Sequence, residues 1–339
     1  MRLSRRALLA GALASSSLAG RASARPAAPN EPTPIEVAAT PIDSFSVTER
    51  ERRIFGALTF RSGLQLRSDF DGFGGFSGLW RSPSGQDIVA LADNTQWLTA
   101  RIVSADGRLA GLSNAVVAPV LGRDGRPLRR TRSYDTETLT IAGGIAYVGI
   151  ERTQEVMRFN WAKEGVRARA QPVAVPAEAK QLPRNQGLEA IGVAPAKSPL
   201  AGALVVIAER AGMMPNAPTR GFILSGARQG AFDVARSGEF DITDLAFLPS
   251  GEMLLLERRA SLFRGFGARI RRIAAGAVHA GAVVDGPIIF EADSGSQIDN
   301  MEGIAVHRDG SGETIVSMIS DDNFSSFQKT VLLEFALTG

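Results

Sequence analysis

From about residue 54 to the C-terminus the chain is a succession of short apolar runs broken by Gly, Pro, Ser and Asp turns, with almost no helical periodicity. Ile242 to Leu248 reads as a strand, Pro249-Ser250-Gly251 as a tight turn, and Met253 to Leu256 as the returning strand. Leu139 to Ile141, Gly143-Gly144 and Ala146 to Ile150 repeat that plan, and Asp309-Gly310-Ser311-Gly312 marks a third such turn. These strands are apolar on both faces, as expected when a sheet is sandwiched between two others. Outer strands are predicted at Leu98 to Val103, Val156 to Phe159, Arg269 to Ile273 and Val331 to Phe335. Ala177 to Gln181 is read as a helical turn or two, and Asp43 to Arg53 is ambiguous.

A repeat overlies this pattern. Phe76-Ser77-Gly78-Leu79, Thr136-Glu137-Thr138-Leu139, Leu188-Glu189-Ala190-Ile191, Ile242-Thr243-Asp244-Leu245 and Met301-Glu302-Gly303-Ile304 share one plan, with second residues 52 to 60 positions apart. Each is followed by an echo: Ala92-Asp93-Asn94, Ile150-Glu151-Arg152, Ala208-Glu209-Arg210, Leu256-Glu257-Arg258 and Ser320-Asp321-Asp322. Repeats of this length in a strand-rich chain predict an all-β fold, a β-propeller with five motif-bearing blades. A sixth blade built from Gly56 to Ser68 is left open, making five or six in total. Closure is expected from Ile54 to Phe60 pairing with Thr330 to Leu337, which removes exposed edges. In an antiparallel hairpin the start of the first strand and the end of the second share a rim. Glu137 with Glu151, Glu189 with Glu209, Asp244 with Glu257 and Glu302 with Asp321 are therefore predicted to line one mouth.

The N-terminus has a different character. Arg5-Arg6, the apolar run Ala7 to Leu18 and Ala22-Ser23-Ala24 read as a twin-arginine export signal over residues 1–24, cleaved after Ala24. Residues 25–45, with five prolines to position 41, read as a Pro/Ala-rich tether, and 46–339 as the propeller domain. The expected location is periplasmic or secreted. The whole chain is +3, but Arg2, Arg5, Arg6 and Arg21 precede any acid, so the exported chain is about −1 (3 − 4). The charge therefore gives no reason to expect nucleic acid, and no later run is apolar enough for a membrane span. There is no cysteine, which removes disulfides and thiolate chemistry, and only two histidines, which argues against zinc or iron sites and a Ser-His-Asp triad. Ser77 also lacks the spacing of a Gly-x-Ser-x-Gly elbow.

Several blocks carry a resemblance. Phe73-Gly74-Gly75-Phe76-Ser77-Gly78-Leu79, Asn185-Gln186-Gly187-Leu188-Glu189, Leu256-Glu257-Arg258-Arg259, Asp299-Asn300-Met301-Glu302-Gly303 and Ser320-Asp321-Asp322-Asn323-Phe324 resemble the phytase-like family described as having esterase-like activity, over nearly the whole exported chain. Where that family has an Asp-x-Glu-Gly block, this chain has Asp135-Thr136-Glu137-Thr138. The resemblance implies a secreted propeller hydrolase acting on a phosphate or carboxylic ester.

Crowded carboxylates either bind a cation or raise one another's pKa. A set rich in Asp, Glu and Asn suits a divalent cation, with Ca²⁺ the first candidate. The expected metal ligands are Glu137, Glu189, Glu302, Asp322 and Asn323. Glu209 and Glu257 are the expected general bases, and Arg152, Arg184 and Arg210 the groups that receive a small anionic or ester substrate. Trp97 is placed at the rim, as a stacking platform or a cap; Arg210 to Arg220 is expected to loop over the mouth, and Arg123 to Arg132 to be a solvated basic loop. Two other readings stay open: a non-catalytic binding or scaffold propeller, and a sugar-lactone hydrolase. A monomer is expected.

Overall fold

The computed structural model describes residues 29–183, 186–210, 217–261 and 263–338. The strands form five separate sheets, one per repeat and antiparallel except for the outermost pair of blade 3, Gly230–Val234 with Val283–Val284, arranged as a five-bladed propeller. The innermost strands are Phe76–Arg81, Thr136–Ala142, Leu188–Val193, Asp241–Phe247 and Asn300–Arg308, in blades 1 to 5. Each pairs with the strand that follows it, so all five hairpins turn at the same end and the repeat motifs gather at the other.

Blade 5 is composite and closes the ring. Its third strand, Thr330–Leu337, pairs with Leu58–Arg67 in a register running from Thr330↔Leu66 to Leu337↔Leu58. The closing strand thus begins four residues later than the expected Ile54; Ile54–Phe55 folds back on Leu58 and Thr59 instead. This also rules out a sixth blade, because Gly56 to Ser68 is committed to blade 5.

The stretch expected as a tether is built into the sheets from Thr33 onward. Thr33–Pro34 pairs with Val117 and Val116 on the outer edge of blade 1. Ala38–Ile42 pairs with Arg67 to Gly63 on the outer edge of blade 5. Proline composition suggested an extended chain, which is correct, but Pro34 and Pro41 lie on edge strands, where a missing N–H costs no interior ladder bond. The segment joins the first and last blades a second time. The proposed export signal lies outside the described residues.

Apolar cores sit between blades. Phe45, Phe60, Phe290 and Phe335 cluster between blades 4 and 5, with centroids 5.0 to 5.8 Å from Phe45. Trp97 is 1% exposed and packs edge-on to Phe159 and Trp161 at 5.4 and 5.1 Å, so it is core between blades 1 and 2 and no platform for substrate. Two side-chain hydrogen bonds tie blades 1 and 2 together: Trp80 Nε1 donates to Ile141 O at 2.9 Å, and Thr136 Oγ1 to Ala92 O at 2.7 Å. Ala177–Gln181 is a short 3₁₀ helix, as expected.

Candidate functional site

All five innermost strands break register at the same point. The pairing skips Ser77, Glu137, Glu189, Thr243 and Glu302, the second residues of the five repeats. A bulged residue leaves the ladder and can turn its side chain away from its own sheet. The bulges converge on the axis: Glu137 feels the charge of Glu302, and Glu189 that of both Glu137 and Glu302, although other blades stand between some of them. Three carboxylates and two hydroxyls therefore make one ring.

A second tier lies just outside. It consists of the residue that follows the partner of the strand position before each bulge: Asp93, Glu151, Glu209, Arg258 and Asp321. Gly75 lies opposite Asp93, whose N–H it accepts at 2.8 Å; its φ is +64°, and a Cβ there would meet Phe324 at 2.4 Å and the Asp93 carboxylate at 2.8 Å, so only glycine fits. In blade 4 this tier holds arginine. Ile242 pairs with Glu257 and Asp241 with Arg258, one step off the expected alignment of the Glu-Arg echoes.

The slip removes Glu257 from the mouth. Glu257 is fully buried, accepting Arg269 Nε at 2.6 Å and Arg271 Nη2 at 2.7 Å, so it is a structural ion pair and not a poised base. Asp244 is also taken out of its expected pairing. It is fully buried and accepts Thr138 Oγ1, Leu245 N and Ile304 N, each at 2.9 Å.

The other expected ligands divide. Glu137, Glu189 and Glu302 line the ring. Asp322 turns into its own loop, accepting Gly75 N and Phe324 N at 3.0 Å and Thr330 Oγ1 at 2.9 Å, and the neighbouring Asp321 faces the mouth in its place. Asn323, at φ +50°, contributes a backbone N–H to Asp321 Oδ1 at 2.6 Å. Arg152 stands at the rim, half exposed, 4.5 Å over the Tyr134 ring and 3.8 Å from Asp135. Arg210 forks onto Asp241, which also receives Arg236, so its guanidinium is already engaged. Arg184 lies outside the described residues, as does 211–216 of the expected covering loop.

Burial and like charge dominate the electrostatics. Burial, then the charges of neighbouring acids, pushes Glu137, Glu189 and Asp321 well above the carboxylate range. Glu209 is raised to about 7 by burial, with Arg258 pulling the other way. Burial opposes the Arg258 charge, but Glu302, Glu209 and Glu189 outweigh it and raise its pKa.

One trio has the spacing to hold a cation. Carboxylate oxygens of Asp135, Glu137 and Glu151 lie within 4.8 Å of one another. All donors are oxygen, which fits a hard cation such as Ca²⁺. Ser77 Oγ, buried on the same ring, has no hydrogen-bond partner among the described residues, as a group kept for a ligand would. Asp135 and Arg258 were not singled out from the sequence. Asp135 opens the Asp-x-Glu block of the resemblance and Arg258 closes the third Glu-Arg echo, and those were their signals.

A five-bladed propeller with an acidic axial mouth is thus the class of protein that fold and site define. The sequence profile of the phytase-like family, described as "Esterase-like activity of phytase", matches residues 71–324, and the chain belongs to that family. No curated protein matches it. Among solved structures, a chain of the S. cerevisiae complex described as "dbp5 l327v bound to nup159, gle1 h337r, ip6 and adp" is similar at 11% identity and TM-score 0.36, covering 85% of this chain and 96% of that one. The PQQ-bound aldose sugar dehydrogenase of Streptomyces coelicolor is similar at 9% identity and TM-score 0.41, covering 91% and 99%. Neither likeness carries an argument about this chain.

Proposed function

We propose that the mouth hydrolyses a small phosphate or carboxylic ester with the help of a divalent cation, most simply Ca²⁺, in a protein exported to the periplasm or beyond. The observation that carries this is the convergence of Asp135, Glu137 and Glu151 within 4.8 Å, with membership of a family described by esterase-like activity as its context. These three carboxylates hold the ion, with the Ser77 hydroxyl beside them. The bound ion would polarise the ester oxygen and favour negative charge on it.

The chain's own residues do the rest. Glu209, with a pKa of about 7, is poised to take a proton from water near neutrality. Arg152, at the rim and half exposed, receives the anionic part of the substrate. Glu189 lies between Glu137 and Glu209 and links the two halves of the mouth.

One observation favours the non-catalytic alternative. Glu151 Oε1 accepts the N–H of Gly187 at 3.3 Å, a tie between blades 2 and 3 that a structural ring would need. The test is a panel of chromogenic phosphate esters, acyl esters and lactones, assayed with Ca²⁺ and with chelator, on the wild type, Glu137→Gln and Glu209→Gln. Turnover that needs Ca²⁺ and is lost in both variants is expected. Equal background rates in all three would sink the catalytic reading. Fractionation of cells carrying the full chain checks export.

A further inference from the structure

The outer tier of the mouth is a carboxylate in four blades and Arg258 in blade 4. Its guanidinium reaches three oxygens from two neighbouring blades. Nη2 lies 3.3 Å from Glu209 Oε1, Nη1 lies 3.6 Å from Glu302 Oε1, and Nη1 donates to Asn300 Oδ1 at 3.0 Å. Asn300 in turn donates to Glu302 Oε1 at 2.7 Å. Two carboxylates and an amide oxygen around one positive centre are a donor set that a hard cation takes when no side-chain charge is present.

The blade 2 side differs. Asp135, Glu137 and Glu151 approach one another, and the guanidinium on that side, Arg152, stands 3.8 Å from Asp135 and 46% exposed, where solvent screens it. The mouth therefore has two acidic lobes, one holding a half-buried positive charge and one with its arginine at the rim. The unpartnered Ser77 Oγ belongs to the bulge ring that both lobes share.

We propose that the Arg258 guanidinium takes the place of a second cation, so that the mouth binds a single divalent ion, on the blade 2 carboxylates, and Arg258 sets that number. This rests on reading the mouth as a cation site. Glu209, Glu302 and Glu189 crowd around this one fixed positive charge, and in its absence an ion from solution relieves their repulsion. The residue is a specificity determinant for the cation count.

The test is Ca²⁺ titration of the chelator-treated protein by calorimetry, with native mass spectrometry counting ions, above pH 7 so that Glu209 is ionised. One ion per chain is expected for the wild type, two for Arg258→Gln, one for Arg258→Lys, which restores the charge, and one for Arg258→Gln combined with Glu137→Gln. If Arg258→Gln unfolds without metal, its melting temperature should rise with Ca²⁺ by more than that of the wild type. A count of one in both wild type and Arg258→Gln, or a melting response no larger than that of the wild type, overturns the proposal. A wild type that binds no Ca²⁺ fails the cation reading itself, a result distinct from either.

Discussion

Asp244 of blade 4 accepts a hydrogen bond from Thr138 of blade 2 at 2.9 Å, although blade 3 stands between them. Its other oxygen accepts the N–H of Ile304 from blade 5, also at 2.9 Å. One side chain thus crosses the axis and ties three blades below the acidic ring.

Replacing it should be costly. Asp244→Ala leaves the buried donors Thr138 Oγ1, Leu245 N and Ile304 N without their acceptor, at about 1–3 kcal/mol each. We expect a loss of about 3 kcal/mol or more in urea unfolding, with less lost in Asp244→Asn, which keeps one acceptor. A midpoint unchanged in Asp244→Ala would show that the axial tie contributes nothing.

Glu257 and Glu209 should behave oppositely. Breaking the buried Glu257 pair with Arg269 and Arg271 leaves two guanidinium groups without their main partner, at about 3–5 kcal/mol. Glu257→Gln is expected to lower the unfolding midpoint strongly and leave the Ca²⁺ count unchanged. Glu209→Gln is expected to abolish turnover with little loss of stability.

The mouth also sets a pH dependence. Burial raises the folded pKa of Glu209 from an unfolded value near 4.5 to about 7. Its contribution is fully present below pH 4.5 and lost as pH rises through 7, so the metal-free protein should become less stable across that window. Glu137, Glu189 and Asp321 shift in the same direction. Melting temperatures of chelated protein at stepped pH check this, and saturating Ca²⁺ should flatten the profile by stabilising the ionised carboxylates. A chelated protein that gains stability from pH 5 to 8 would contradict it.

His307, on the opposite rim, gives the reverse sign. Burial, then the nearby Arg81, lowers its pKa from 6.5 to about 4. The unfolded state therefore binds the extra proton between those values, and stability contributed by neutral His307 is lost as pH falls from 6.5 to 4. His307→Gln should lose less stability than the wild type over that interval in paired urea titrations.

Deleting residues 29–42 removes the strands that cover the outer edges of blades 1 and 5. The exposed edges of Arg108–Pro119 and Leu58–Arg67 should then pair between molecules. Size-exclusion chromatography is expected to show larger species and a lower melting temperature than the chain that retains them.

The repeat, its five motif-bearing blades, the closing partner strand and the acidic character of the mouth were legible in the sequence, whereas the exclusion of a sixth blade needed the pairing of Leu58–Arg67 with Thr330–Leu337. They are properties of composition and spacing: each blade must announce its own turns and its own apolar runs, because each buries both faces against its neighbours. What the sequence did not reveal was phase. Met253-Leu254-Leu255-Leu256 is apolar on both faces, so alternation carries no mark of which residue meets Ile242, and the recurring Glu-Arg echo invited an alignment one residue out. Only the assembled sheet, with a bulge in each inner strand, decided that Arg258 and not Glu257 joins the outer tier, that Asp322 turns away from the mouth, and that Asp244 crosses the axis. A side chain's direction in a sheet reverses with each single step of register, and register is fixed by packing across the whole molecule.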